Sequence, residues 1–368
     1  MAEGFATRWQ KRRSERRGKK GVLVGPDGKS GINMGRDELK NGVQEIIARH
    51  FSNGTDHGVR FEVNMTRSLE ELGEVKERLM RDAPPDFIVL LGGDGNTQKT
   101  LGEDGEFLRY LTADPERAPE VIVLGAGSKN VVPTALKLLS SDQSVKAQLH
   151  ALEVVCQKIA RGIPRDIVCC PILKINERYG FIYGSGLVVN ALDAYYEHEA
   201  GPSRALKTGL STVWRETVGR LSPWRRPSIF RRFDAGMCWR DEVGDEQAIG
   251  MSRFNAVLAS SLREVNPWLK VTHRTGERLG CFHAICYDNG FWRSAMNLPA
   301  MIVGAPLIGS VEDAVTDRLI IRYGQPMRHT IDGERYESTA ALGRPSLPGF
   351  GDEDVIIETG PYIQFIVS

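Results

Sequence analysis

The 368-residue chain lacks several features that would assign it a class at once. No apolar run approaches the roughly 20 residues that cross a bilayer as a helix. Net charge is only +1, so no overall excess of positive charge argues for nucleic acid. No internal repeat and no low-complexity tract interrupts it. The six cysteines, Cys156, Cys169, Cys170, Cys238, Cys281 and Cys286, follow no zinc-binding spacing. Cys281, His283 and Cys286 lie close together, but nothing elsewhere completes a four-ligand set. Reduced structural thiols in a cytosolic protein are the expectation. The opening, MAEGFATRWQKRRSERRGKKG, has basic residues but no apolar segment of a secretory signal. It is expected to be a solvated basic arm over 1–20, with attraction to an anionic membrane surface as its functional alternative.

Hydrophobic residues at 41% and charged residues at 26% describe an ordinary globular composition, and the length suits two domains. From Gly21 the pattern alternates. GVLVG reads as a strand. Arg36–Phe51 places Leu39, Val43, Ile46, Ile47 and Phe51 on one helical face. RFEVN is a second strand, and SLEELGEVKERLM starts a helix with Ser68 and Glu71 at capping-box spacing. DFIVLL and EVIVL are continuous apolar runs, as central parallel strands require. Strands alternating with helices imply βαβ units over 21–145. Past an amphipathic helix at Val145–Ala160 come short β-like runs separated by turn residues. These predict an antiparallel, sandwich-like domain over 146–368, with a charged helical insertion at Leu187–Arg220.

The chemistry is expected at glycine-rich corners. LLGGDGN, Leu90 to Asn96, ends a strand where open α/β sheets bind ligands. Glycines let a phosphate approach the backbone, and the following helix start offers free N–H groups. Asp94 beside a phosphate hints at Mg²⁺ or at handling a hydroxyl proton; as a plain strand–turn–helix link it would be an N-cap. IVLGAGSKN, Ile122 to Asn130, repeats the scheme one βα unit later, so two corners can flank one phosphate cleft. In IDGERYE, Asp332 and Glu334 flank a glycine and would share a face if the segment were a strand, fit for a metal or a general base. The same Asp-Gly could simply make a type I′ hairpin. PWRRPSIFRRF, Pro223 to Phe233, mixes arginine with aromatic residues, which suits either an interfacial membrane contact or a surface loop.

These elements, in this order, resemble the diacylglycerol kinase catalytic-domain family of bacterial lipid kinases, sphingosine kinases and ceramide kinases. The resemblance covers about residues 21–368. Its pattern is GGDG, a GTGN-like turn, then DGE, matched by Gly92–Asn96, Gly125–Ser128 and Asp332–Glu334. VLVGPDGKSG is similar to the family's opening strand and turn. The implied fold is a Rossmann-like nucleotide domain of the NAD-kinase and diacylglycerol-kinase type plus a β-sandwich domain, with the site in a cleft between them and the tail able to return to the first domain. The implied reaction transfers the γ-phosphoryl group of ATP to a lipid hydroxyl, with Mg²⁺. Thr66, Gly92, Gly93, Gly95, Asn96, Gly125, Gly127 and Ser128 would hold nucleotide. Asp94, Asp332 and Glu334 would be catalytic, the last two serving metal or proton relay. Asp193 would face the lipid head group. A cytoplasmic protein visiting membranes follows. Gly25 replaces the family's asparagine and Asn96 its threonine. Gln98 and Lys99 stand for Asn-Glu, and Lys129 stands near an aspartate position. The lost carboxylates weaken the case for Mg²⁺ and keep two alternatives open: a non-catalytic nucleotide-binding protein of the same fold, and an NAD-kinase-like enzyme acting on a soluble substrate.

Overall fold

A computed structural model describes residues 10–14, 20–26, 36–51, 60–66, 68–92, 94–102, 105–125, 131–136, 144–196, 230–265, 269–323, 327–337 and 354–367. The chain divides into two compact units. The first comprises Met1–Ile172, Glu177–Tyr179 and Gly360–Ser368; the second comprises Leu173–Asn176 and Gly180–Thr359.

The first unit contains β1 (Gln10–Ser14), β2 (Lys20–Pro26), α1 (Arg36–Phe51), β3 (Arg60–Thr66), α2 (Leu69–Met80), β4 (Phe87–Gly92), α3 (Asp94–Leu101), α4 (Glu106–Thr112), β5 (Glu120–Gly125), α5 (Val131–Ala135), α6 (Val145–Ala160) and most of β6 (Arg165–Ile175). Strands β3, β2, β4 and β5 lie side by side and parallel. All six residues of β4 and all six of β5 are buried, because helices cover both faces of such a sheet. One face, with Leu23, Val89, Leu91, Ile122 and Leu124, packs on the α1 stripe and on Leu152, Val155 and Ile159 of α6. The alternate residues Val22, Val24, Ile88, Leu90, Val121 and Val123 are equally buried on the other face. Ser68 caps α2, its Oγ accepting from the Glu71 N–H at 3.2 Å.

Two features differ from the reading of the sequence, while the return of the chain end accords with it. Residues 10–14 are a strand paired antiparallel with 165–169, not a solvated arm. Ladder bonds are made by the backbone, and a charged sequence is what an edge strand tolerates. Helix α6 belongs with the first unit rather than the second, its apolar stripe being part of that core. The chain end returns to the first unit, where Gln364 and Phe365 pair parallel with Glu120 and Val121. Beyond Tyr196, the proposed insertion lies outside the described residues, as does most of Pro223–Phe233.

The second unit follows β7 (Arg178–Gly180), whose last residue it includes. It holds β8 (Ile182–Gly186), α7 (Leu187–Tyr196), β9 (Phe233–Arg240), β10 (Glu246–Ala248), β11 (Arg253–Phe254), β12 (Ala256–Ser260), β13 (Phe282–Tyr287), α8 (Phe291–Val303), β14 (Val311–Thr316), β15 (Arg318–Tyr323), β16 (Arg328–Ile331), β17 (Glu334–Glu337) and the start of β18 (Asp354–Ile366). One antiparallel sheet runs β14–β13–β12–β8–β16–β17 and another runs β10–β9–β15–β18. Tyr183, Val257, Ala259, Phe282 and Ala284 from the first meet Ala235, Met237, Leu319, Ile321 and Ile357 from the second in one core. All six cysteines are free thiols. Cys286 lies in the core and Cys281 accepts from Arg278 at 2.8 Å, so the Cys281–His283–Cys286 segment does not converge on a metal.

On the outer side of the six-stranded sheet, buried His283 donates from Nε2 to Asp313 at 2.9 Å, and Arg274 donates to the same oxygen at 3.2 Å. The His283 hydrogen bond, with Arg274 beside it, pulls the Asp313 carboxyl down to about 2. A depressed carboxylate contributes stability above its unfolded value of about 3.9, and that stability is lost as pH falls through the folded value. The urea midpoint should therefore drop between about pH 4 and about pH 2, and Asp313→Asn should flatten that part of the profile.

Candidate nucleotide site

Register places the expected corners side by side. Pro26 pairs with Thr66, and Gly92 pairs with Gly125, so β2, β3, β4 and β5 all end at one carboxyl edge of the sheet. A single residue separates the end of β4 from the first residue of α3. Gly92 has φ 154°, a conformation that residues with side chains rarely adopt. The first turn of α3, Asp94 to Asn96, carries backbone N–H groups with no partner inside the helix. Those donors and the helix dipole favour an anion at this edge.

The described side chains here buttress the backbone. Thr66 is buried, and its Oγ1 donates to the Gly25 carbonyl at 3.4 Å. It ties two strand ends together. Gln148 of α6 is buried and donates from Nε2 to the Gly125 carbonyl at 3.0 Å. Sequence reasoning missed Gln148, though one signal was present: a glutamine within the stripe of α6 that carries Leu152, Val155 and Ile159. At the far end of α3, buried Lys76 donates from Nζ to the Lys99 carbonyl at 2.7 Å, a cation at a helix C-terminus. Gly93, Gly127 and Ser128 lie outside the described residues, as do the side chains of Asp94 and Asn96; Gly95 is in the first turn of α3.

Asp332, Glu334 and Asp193 all belong to the second unit. Asp332 does not share a strand face with Glu334, because Asp332 and Gly333 form the two-residue turn between β16 and β17. Both have positive φ, 51° and 91°, as a type I′ hairpin demands. The Asp332 carboxylate accepts from the Phe181 N–H at 2.9 Å and the Ile182 N–H at 2.8 Å, while its own N–H donates to the Ile182 carbonyl. Gly180 makes room for it, since a Cβ there would fall 2.9 Å from Asp332 Oδ2. Glu334 opens β17 half-buried. Asp193 on α7 is held between Arg328 at 2.9 Å and Arg335 at 3.0 Å, so this acid is already neutralised by two arginines.

Among the described residues no group of three or more His, Cys, Asp or Glu side chains could hold a metal ion. The Asp332 oxygens point into backbone N–H groups, and the described carboxylates do not fit a chain-held Mg²⁺ site. No helix among the described residues is long and apolar enough to cross a membrane.

No protein-family model matches the sequence, and no curated protein matches it. Solved structures do. A diacylglycerol kinase from Bacillus anthracis str. Sterne superposes with a TM-score of 0.57 at 11% identity, covering 95% of this chain and 97% of that one. The likeness is one of fold. Two further structures from the same organism, provisionally assigned to that enzyme class, give TM-scores of 0.62 and 0.59, each at 13% identity over 96% of this chain and 97% and 98% of theirs. The likeness of fold extends over both units of the chain rather than one alone.

Proposed function

We propose that the chain is an ATP-dependent lipid kinase that phosphorylates a lipid hydroxyl of diacylglycerol or sphingoid type. The observation that carries this reading is the pairing of Gly92 with Gly125 at the carboxyl edge, with α3 opening at Asp94. Two side-chain-free strand ends beside a helix start leave the backbone open to a polyphosphate. The ordered GGDGN, GAGS and DGE elements and the fold of the diacylglycerol kinase structures support the same reading.

In the reaction the acceptor hydroxyl oxygen bonds to the γ-phosphorus, the bond to the β,γ-bridging oxygen breaks, and ADP leaves. The hydroxyl proton needs a base, a role we assign to Asp94, with Glu334 as the second acid. Gly93, Gly95, Asn96, Gly127 and Ser128 complete the nucleotide set. Asp332 is a positioning residue that fixes the hairpin bearing Glu334. Mg²⁺, when bound to the nucleotide, would supply charge neutralisation of the phosphates. Asp193 is a head-group contact in this scheme only through the arginines it holds. The expected setting is cytoplasmic, with contact at a lipid surface.

Incubation with radiolabelled ATP and a panel of lipids in mixed micelles should label a lipid; labelled NAD instead would favour the NAD-kinase-like reading. Lys99 and Lys129, standing near acid positions of the family pattern, favour one other outcome, nucleotide binding without transfer. Calorimetry with Mg·ATP decides whether the corner binds nucleotide at all. Gly92→Val should weaken binding tenfold or more, about 1.4 kcal/mol. Equal affinity, with urea midpoints showing both proteins folded, would refute the site.

A further inference from the structure

Helix α8 is mounted inside out. Its inward side is polar: buried Asn297 donates to the Ile308 carbonyl at 2.9 Å and accepts from the Ile308 N–H at 2.9 Å, and Ser294 bonds the Gly290 carbonyl. Phe291 alone anchors the start, its ring edge-on to Phe230 at 5.7 Å. The helix stops at Gly304, whose φ of 76° suits a glycine C-cap. Its outward side is apolar. Trp292, Met296, Pro299 and Val303 follow helical spacing along one stripe, with Leu298 and Ile302 at its flank. Trp292 is 64% exposed, Met296 60% and Val303 70%, and Ile308 beside the helix is exposed as well. A globular helix normally turns this face to the core.

The charge around the stripe decides what covers it. The sequence FWRSAMNLPAMIV has no acidic residue. Arg293 stands on the flank. Lys270 reaches the far end, its N–H donating to the Met301 carbonyl and its Cβ lying near Gly304. Arg231 follows Phe230 at the start. None of these three cations has an ionic partner among the described residues. The neighbouring acids are occupied: Asp288 by Arg232, and Glu277 and Asp313 by Arg274. A second copy docked about a twofold axis would set like charges against each other. An aromatic and aliphatic stripe with a purely basic rim is the pattern of a helix lying in an anionic lipid interface.

We infer that the outward face of α8, with Arg231, Lys270 and Arg293, docks the protein on anionic membranes. This deepens the lipid-kinase reading by naming the surface that meets the bilayer, and it can fail separately from that reading. The test is flotation of the full chain, without nucleotide, with vesicles of phosphatidylcholine alone or mixed equally with phosphatidylglycerol. The wild type should float with the anionic vesicles, about tenfold more than with neutral ones. Trp292→Ser with Val303→Ser should lose roughly tenfold in binding at an unchanged urea midpoint, and Trp292→Phe should retain it. Lys270→Ser with Arg293→Ser should remove the preference for anionic lipid. No flotation of the wild type, or equal flotation of the Trp292→Ser/Val303→Ser variant, overturns the inference. So does a wild-type dimer, seen by sedimentation, that those substitutions dissociate without any vesicle binding. Transfer to a detergent-dispersed lipid is assayed separately, so absent activity with intact docking rejects the kinase reading alone.

Discussion

Replacing Asp332 by alanine should cost about 3 kcal/mol of stability, read as a fall in the urea midpoint. The carboxylate accepts from two adjacent backbone N–H groups, those of Phe181 and Ile182, and both of these residues are buried. Removing the acceptor strands two donors away from water, at about 1–3 kcal/mol for each group left unmade. Alanine must also occupy φ 51°, which costs a residue with a Cβ about 1 kcal/mol more than it costs aspartate or asparagine. Asp332→Asn keeps an acceptor oxygen and tolerates the turn, so it should lose only about 1 kcal/mol. Asp332→Gly restores the backbone freedom without the acceptor and should fall between the two. The asparagine variant separates the two roles of this residue. A clamp that positions the hairpin leaves lipid phosphorylation in the asparagine variant within about tenfold of wild type. A group that takes the acceptor proton does not, because an amide cannot accept that proton at neutral pH.

The division between what the residues foretold and what they hid has a physical pattern. Helix α1 was legible because its apolar residues recur at helical spacing and all five are buried. Strands β4 and β5 were legible because unbroken apolar runs fit only a sheet covered on both faces. The nearness of the two glycine corners followed from their separation by one βα unit, which puts their strands next to each other. The Asp-Gly pair was ambiguous for a sound reason. The residues that suit a tight hairpin also compose the DGE motif, and only the folded chain shows that this carboxylate accepts from the Phe181 and Ile182 N–H groups. Gln148 and Gly180 support their corners through tertiary neighbours far away in sequence, so no local pattern marks them. The affiliation of α6 was hidden similarly. An amphipathic helix states that it has a partner, not which one. In α8 the periodicity is present, but its phase relative to the fold is reversed, and sequence alone does not carry that phase.

The second large effect concerns the opposite end of the same parallel sheet. Glu120 opens β5 and Arg165 opens β6, and the two form an ion pair at 2.5 Å with side chains 2% and 1% exposed. The Arg165 guanidinium also lies 4.8 Å from the Phe87 ring centre, which adds a cation–π contact. Taking both charges out of water is costly, and their attraction repays that cost only while both remain. Glu120→Gln leaves a guanidinium buried without its counter-charge and should destabilise the chain by about 3–5 kcal/mol. Arg165→Met takes the counter-charge from a buried carboxylate and should cost a similar amount. Glu120→Leu combined with Arg165→Met removes both charges and should recover most of the loss, within about 2 kcal/mol of wild type. Urea titration of the two single variants and the double closes this cycle. Additive losses would show that the pair is not coupled. The cycle also bears on the site, because Glu120 and the Phe87 under the guanidinium open β5 and β4, whose carboxyl ends carry Gly125 and Gly92. Nucleotide affinity of the double variant should therefore match wild type, since the change is made a full strand length away from the glycine corner proposed to bind phosphate.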